Sequence, residues 1–287
     1  MGHFTQFLST LATAPTSYFV YSAFSYYGSR RGWALPGLWF VRALGQAGRD
    51  EATVRQTLYR MSAEGELTAE RAGRSKVYRP TAFARAEIEA GTDKILKAPE
   101  GSWDGRWTVV HVRLRGSEQR VTRKRVEELL RVEGFARLGG GAYVHPWPVG
   151  DRVYGSLPDD ARPYVIVVRG EMVVGSAAEL STLWNVKDLS VRYERVNHQF
   201  SRLAERLDTR MCTDREAFLL RFAVVFAYLG VAWDDPELPA ALVEPDWPGP
   251  EARRRAASLY RRLMPGATRH ADGILRSVSA GVARAGV

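Results

Sequence analysis

The sequence predicts an α+β protein with a winged helix-turn-helix over residues 14–97, a ferredoxin-like α/β domain over residues 98–175 and a helical domain over residues 176–287. Three observations predict this order. Segments with helical hydrophobic periodicity end in two short alternating segments before residue 80. The pattern then changes to strand, helix and further strands, and the rest of the chain returns to helical periodicity.

The composition predicts a soluble protein with a polyanionic partner. Of 287 residues, 45% are hydrophobic, which is enough for real cores, and 25% are charged. The formal net charge of +9 favours DNA, RNA or an anionic membrane surface, and charge alone does not separate them. The single cysteine, Cys212, has no disulfide partner within the chain and is expected to be a small buried residue on a helix. A reducing, cytoplasmic location is expected.

Neither a signal peptide nor a membrane span is predicted. Residues 12–14 (Ala-Thr-Ala) look like a cleavage site, but no basic region and no continuous apolar run precede them. The longest apolar run, residues 218–233, is interrupted by Arg221 and is shorter than the roughly 20 residues that a bilayer span needs. No membrane partner is therefore expected.

The first domain shows a start or stop signal at most of its helices. Pro36 stands in the first turn of one helix, and Asp50 is the predicted N-cap of the next. Gly65 is the predicted stop of that second helix. We expect helices over residues 17–27, 36–47, 51–64 and 82–96, a basic turn at 28–32, and strands over 67–71 and 76–79 joined by residues 72–75. Helices followed by a hairpin are typical of a winged helix.

The helix over residues 51–64 has the two faces that a recognition helix needs. Val54, Leu58 and Met61 recur at i, i+4 and i+7 and form an apolar face. The opposite face is polar and is expected to enter the major groove, where Gln suits adenine, Arg suits guanine and Thr suits a thymine methyl group. The predicted contacts are Thr53, Arg55 and Gln56 to base edges, and Tyr59 and Arg60 to the phosphate backbone.

The hairpin is the predicted wing. Arg71, Arg74 and Lys76 lie at its tip, where phosphate or the minor groove would meet them. Between residues 28 and 80, ten Lys and Arg stand against five Asp and Glu, so this stretch carries +5 of the net +9. A charged hairpin that is only solvated is the alternative interpretation. The helix, the capped helix and the basic hairpin together favour double-stranded DNA as the partner.

The later segments follow simple patterns. A strand over 107–114, a helix over 120–133, a hairpin of 136–138 and 142–144, and a strand over 163–168 predict the ferredoxin-like unit. Helices are expected over 177–184, 189–207, 213–230 and 251–264, with a weaker helix in the tail.

An ordered set of short motifs runs through residues 14–264. WDGRW at residues 103–107 and PDWPG at 245–249 are the most specific, and the others are SAEG at 62–65, GRSK at 73–76 with Tyr78, EGF at 133–135 and LW at 183–184. With these motifs the chain resembles the PaaX-like family of bacterial transcriptional repressors of phenylacetic acid catabolism. The residues before 14 and after 264 lie outside the resemblance.

The resemblance implies a function as well as a fold. It implies a winged helix, a central domain similar to the ferredoxin-like Cas2 fold and a helical C-terminal domain. It also implies a homodimer on a palindromic operator, released by a small-molecule effector of the acyl-CoA class, such as an aryl-CoA ester. We therefore expect a sequence-specific DNA-binding regulator, with no catalytic residues, no metal and no cofactor.

The Cas2 resemblance also suggests the alternative, a metal-dependent nucleic-acid-processing enzyme. That chemistry needs an Asp at the end of the first strand of the central domain, so that paired subunits hold a divalent cation. Here the predicted strand ends in Arg113 and Leu114, and Asp104 precedes it. The regulator is therefore the favoured interpretation.

Other groups of residues leave their role open. The five histidines are scattered without an i, i+4 pair, which argues against a zinc helix. The run at residues 139–141 (Gly-Gly-Gly) could cradle a phosphate, but a hairpin turn with positive φ explains it better. Arg192, Arg195 and Arg202 could contact the phosphates of a CoA ester or form a solvated helix face.

Overall fold

The computed structural model describes residues 4–73, 75–97, 102–117, 119–173, 179–180 and 182–284, with side chains described to residue 279. Contacts group the residues into two units. Unit 1 contains Met1–Ala98, Glu194–Gly230 and Pro250–Val287, and unit 2 contains Pro99–Tyr193 and Val231–Gly249. The three-part division of the sequence stays a prediction, but these units differ from it because residues 176–287 contribute to both.

The described helices are listed here in chain order. They are α1 (Thr5–Leu8), α2 (Thr16–Tyr26), α3 (Gly37–Gly45), α4 (Glu51–Ala63), α5 (Ala82–Leu96), α6 (Arg120–Val132), α7 (Gly150–Ser156), α8 (Val186–Thr209), α9 (Asp214–Ala232) and α10 (Gly249–Arg284). None of the helices in the described ranges is both long enough and apolar enough to cross a membrane.

The strands form two antiparallel sheets. They are β1 (Leu35–Pro36), β2 (Leu67–Ala72), β3 (Ser75–Pro80), β4 (Arg106–Val112), β5 (Ala136–Gly139), β6 (Ala142–His145) and β7 (Val165–Glu171). The sheet of unit 1 has the order β1-β3-β2, and the sheet of unit 2 has the order β5-β6-β4-β7. Pro36 was expected inside a helix but pairs with Val77 in β1, and it precedes α3 as its N-cap residue.

Unit 1 has an aromatic core built from distant parts of the chain. Phe19, Trp39 and Phe40 come from the N-terminal helices, and Phe218 and Phe222 come from α9. The Trp39 indole N–H donates to the carbonyl oxygen of Ala271 on α10 at 3.1 Å. A sequence pattern shows that a helix has an apolar face but not which helix covers it. This is why α9 and α10 were assigned to a separate domain.

The last helix is longer than the sequence predicts. Residues 251–264 were expected to be helical, with a break at Pro265, yet α10 continues through Pro265 to Arg284. Proline removes one helical hydrogen bond, which usually ends or kinks a helix. Here Ala267, Ala271, Ile274 and Val278 are buried at helical spacing beyond the proline. Burial of that apolar stripe offsets the lost hydrogen bond.

The region around Cys212 also differs from its prediction. Cys212 lies between α8 and α9 instead of on a helix, and it is half-buried. Partial burial raises the pKa of its thiol to about 11. The thiol is therefore protonated at neutral pH, and the residue is not a reactive nucleophile.

Unit 2 has the order β-α-β-β-α-β, which is the ferredoxin-like topology. One sheet face packs on α6 and α7 through residues such as Val110, Val126 and Val153. The other face is covered partly by Trp184 and Leu242. Most of α7 was not predicted, because a seven-residue helix with a single buried residue has little periodicity. Most of the helix predicted over 177–184 lies outside the described residues.

Candidate nucleic-acid interface

The helix α4 is fixed on unit 1 by its apolar face. Val54, Leu58 and Met61 are all at most 1% exposed, as the spacing predicts. At its start, Asp50 Oδ1 accepts a hydrogen bond from the Thr53 backbone N–H at 2.8 Å. At its end, Gly65 has φ of +77°, and its role as the helix stop is confirmed. The direction of α4 is therefore set at both ends and along one side.

The opposite face of α4 is open to solvent. Tyr59 is 71% exposed, which is unusual for a large aromatic side chain and leaves its ring and hydroxyl accessible. The five predicted contact residues on this helix are all exposed: Thr53, Arg55, Gln56, Tyr59 and Arg60. The structure therefore brings the predicted helix residues together on one accessible surface.

Two of the exposed arginines are paired along the helix. Arg55 lies 2.6 Å from Glu51, and Arg60 lies 3.0 Å from Glu64, both at i, i+4 spacing. The Arg55 and Arg60 side chains remain more than half exposed. Exposed pairs of this kind contribute about 0–1 kcal/mol. Both guanidinium groups can therefore leave their partners for a phosphate or a base at little cost.

Thr53 has a role that the sequence prediction missed. Its hydroxyl donates to Asp50 Oδ2 at 2.6 Å, in addition to the backbone bond at the same cap. These hydrogen bonds hold the pKa of the Asp50 carboxyl below its ordinary value. The spacing of Asp and Thr at N-cap and N3 is the sequence signal that could have revealed this. The hydroxyl is occupied, so the methyl group of Thr53 is the part that is left for a base edge.

The hairpin brings two predicted cations together. Arg71 and Lys76 are directly opposite each other in the register of β2 and β3, and both are exposed. The Arg71 Nε–H donates to the carbonyl oxygen of Gly73 at 3.3 Å. Like charges at opposed positions of a hairpin are destabilising, and an anion between them would relieve the repulsion. Arg74, the third predicted contact, lies outside the described residues.

Several cations in the same stretch serve the fold instead of the exposed surface. Arg49 Nη2 donates to the carbonyl oxygens of Leu11 and Ala14, at 2.6 Å each. Others have partners far away in sequence: Arg31 with Asp272, Arg42 with Ser277, and Arg79 with the Gly32 carbonyl and Glu70. The positive charge counted from the sequence therefore overstates the charge that is free to meet a polyanion.

The alternative, metal-based site lacks the expected acid. Asp104 precedes β4 and pairs with Arg169 at 2.7 Å, and this hydrogen bond holds its pKa below the ordinary value. Within the described ranges, no group of three or more His, Cys, Asp or Glu side chains is placed to hold a metal ion.

The glycine run at 139–141 connects β5 and β6. All three residues have positive φ, and a Cβ atom on Gly141 would lie 2.5 Å from the carbonyl oxygen of Val112. Backbone geometry therefore explains why glycine stands at these positions.

Three family models match consecutive parts of the chain. They describe a PaaX-like protein over residues 16–83, the central Cas2-like domain of the PaaX protein over 100–181, and the C-terminal domain of PaaX-like proteins over 184–273. The central domain, most of unit 2, is thus Cas2-like.

A characterised relative and a solved structure are also similar to the chain. The transcriptional repressor PaaX of Escherichia coli (strain K12) is 25% identical over 228 residues, which cover 77% of this chain and 71% of that protein. The structure of the uncharacterized protein Rv0674 from Mycobacterium tuberculosis matches 91% of this chain and 99% of its own, with a TM-score of 0.58 and 20% identity. The second likeness concerns the fold alone.

Proposed function

The chain belongs to the PaaX-like family, and from this premise we propose that it is a transcriptional repressor that binds specific sequences of double-stranded DNA. In this proposal α3, α4 and the β2–β3 hairpin form a winged helix-turn-helix, and α4 is the recognition helix. The observation that carries it is the geometry of α4, whose apolar side is buried while Gln56 and its polar neighbours are exposed beside a cationic hairpin.

The exposed residues divide into two roles. Arg55 and Gln56, in the first half of α4, form hydrogen bonds to base edges, and the Thr53 methyl group packs on a thymine. The remaining residues hold the phosphate backbone: Tyr59 and Arg60 on α4, and Arg71, Arg74 and Lys76 on the hairpin. Phosphates replace Glu51 and Glu64 as partners of the two helix arginines, and this exchange costs little because both ion pairs are exposed.

The family supports a dimeric form of this mechanism. Two copies of the chain place their recognition helices in successive major grooves of a palindromic operator, about 34–36 Å apart or a multiple of that distance. A small-molecule effector, such as an aryl-CoA ester, binds the released form more tightly and so lowers operator occupancy. A ligand shifts the equilibrium only by such a difference in affinity.

Fluorescence anisotropy on DNA from the chain's own promoter region, beside a random duplex, tests the assignment of roles. Arg55→Ala and Gln56→Ala should cost about 1–3 kcal/mol on the specific site and reduce the preference over random DNA. Lys76→Ala should weaken both duplexes and reduce the slope of log affinity against log salt by about one. Arg261→Ala, at an exposed position of α10, is the matched control and should change neither.

Two results would contradict the proposal. The first is the absence of any footprint on the promoter region at modest salt. The second is an equal loss on specific and random DNA for Gln56→Ala and Lys76→Ala, because base-reading and phosphate-holding residues must differ in that comparison.

A further inference from the structure

The segment of residues 4–14, here called the N-terminal strap, precedes the first family match, which begins at residue 16. It contains α1 and a 3₁₀ turn (Ser9–Thr13), neither of which the sequence patterns predict. Phe4, Phe7, Leu11 and Ala14 are all at most 7% exposed. The strap is therefore a packed part of unit 1, although it lies outside the matched family region.

The strap closes one side of a recess in unit 1. The recess has a volume of about 450 Å³, including solvent at its mouth, and lies between the strap and the helices α8 and α9. Phe7, Leu203, Val224 and Ala227 give it apolar walls. The Arg206 guanidinium carbon lies 6.0 Å from the centre of the Phe7 ring, beside this wall. The recess thus suits the apolar body of a small molecule.

Polar groups stand on the same lining. Gln6 of the strap and Gln199 and Arg202 of α8 all border the recess. Arg202 is half-buried, and no carboxylate among the described side chains lies within ion-pair distance of it. Arg192, on the same helix, differs because it pairs with Asp188 and Asp234. A half-buried guanidinium beside apolar walls and amide groups fits a ligand with an apolar body and a carboxylate head.

The strap is connected to the start of α4. Arg49 donates to the carbonyl oxygens of Leu11 and Ala14, and its guanidinium carbon lies 5.1 Å from the centre of the Phe19 ring. The next residue in the chain is Asp50, the N-cap of α4. Movement of the strap would remove two hydrogen bonds from a partly buried cation, and the backbone that caps α4 would have to adjust.

We propose that the recess under the N-terminal strap binds a small amphipathic carboxylate, and that the occupied recess changes the DNA affinity of α4 through Arg49. The binding part stands on the recess alone. The regulatory part rests on the proposed function, and the experiments below separate the two.

Isothermal titration calorimetry of the full chain tests the binding part. The probes are straight-chain carboxylates from butanoate to decanoate and benzoate, each measured beside its neutral amide. At least one carboxylate should bind about ten-fold or more tightly than its amide, the size of one charge-assisted hydrogen bond. Arg202→Gln should remove this difference. Arg195→Gln, at an exposed position on the same helix, should keep it. Absence of binding by every carboxylate, or unchanged binding by Arg202→Gln, overturns the proposal.

A second variant locates the ligand without removing a charge. Ala227→Leu fills the recess from the α9 side and should weaken the tightest probe by about ten-fold or more. Its thermal unfolding transition is measured in parallel to show that the variant is folded. Unchanged probe affinity in a folded Ala227→Leu protein places the ligand elsewhere and overturns the assignment of the recess.

Anisotropy measurements with and without the tightest probe test the regulatory part. The probe should change the affinity for promoter DNA by about five-fold or more. Arg49→Met should bind the probe with wild-type affinity but lose this change, and Arg49→Lys, which keeps one donor, is used if the Met variant does not fold. If Arg49→Met, or the Lys variant in its place, shows the full wild-type change, the link through Arg49 is wrong. Probe binding by a chain that does not bind DNA refutes the proposed function and leaves the recess assignment standing.

Discussion

At the scale of single residues, Arg221 is the most unusual side chain in the core of unit 1. It is 1% exposed, and its guanidinium carbon lies 3.9 Å and 3.8 Å from the ring centres of Tyr26 and Tyr260. None of its three guanidinium nitrogens has a hydrogen-bond partner within the described part of the chain. Burial lowers the pKa of this group. The two aromatic rings are thus the main compensation for a buried charge.

We expect Arg221→Met to be at least as stable as the wild type. The buried charge costs several kcal/mol in lost hydration, whereas each aromatic contact returns about 2 kcal/mol. Methionine keeps much of the volume without the charge. Urea unfolding of both proteins measures the difference, and Arg221→Ala, which leaves a cavity, should be the least stable of the three. A loss above about 2 kcal/mol for Arg221→Met would show that the aromatic contacts outweigh the cost of burial.

The second prediction at this scale concerns pH. Burial lowers the pKa of His145 to about 4, and its Nδ1 accepts a hydrogen bond from the Trp147 backbone N–H. The unfolded chain binds the proton near pH 6.5, so stability is complete above that pH and falls as pH decreases toward 4. The loss from this one group reaches about 3 kcal/mol.

Urea unfolding between pH 4 and 7 measures this dependence. His145→Asn keeps an acceptor but removes the titration, and it should flatten the dependence on pH by that amount. His198→Asn, at an exposed position, should leave the profile unchanged. Identical profiles for wild type and His145→Asn would mean that other groups control the acid response.

At the scale of elements, the strongest local signals predict structure best. The helix expected over residues 82–96 is α5, Ala82–Leu96, because Thr81 caps it and apolar residues recur at helical spacing. On α4 the seat and the exposed face both follow from the position of Val54 in the period. The partners of Arg49 and Arg31 were not predictable, because they lie in distant parts of the chain. Periodicity describes one element and not its neighbours.

The glycine run between β5 and β6 gives a prediction at this scale. Gly141→Ala should destabilise unit 2 by about 1–3 kcal/mol, since its positive φ strains any side chain and the new Cβ would meet the Val112 carbonyl. Gly140→Ala is the matched control, because Gly140 also has positive φ but open space around it. Chemical denaturation of both variants measures the part due to the close contact. Equal losses would show that backbone strain alone decides the cost.

At the scale of the molecule, the sequence predicted the order of the elements better than their grouping. The ferredoxin-like unit follows from local patterns and has the expected topology. The grouping of α9 and α10 with the N-terminal helices depends on contacts such as the hydrogen bond from the Tyr18 hydroxyl to the Phe222 carbonyl at 2.6 Å. Residues that meet across more than 200 positions leave no trace in a short window of sequence.

The core shared by Trp39, Phe222 and Ala271 has a consequence for biosynthesis. The chain completes this core only after the residues of unit 2 have been made, because α9 and α10 follow β7. A nascent chain that stops after α5 exposes its aromatic side chains to water and lacks the helices that cover them. The ribosome must therefore release most of the polypeptide before α4 has a stable support.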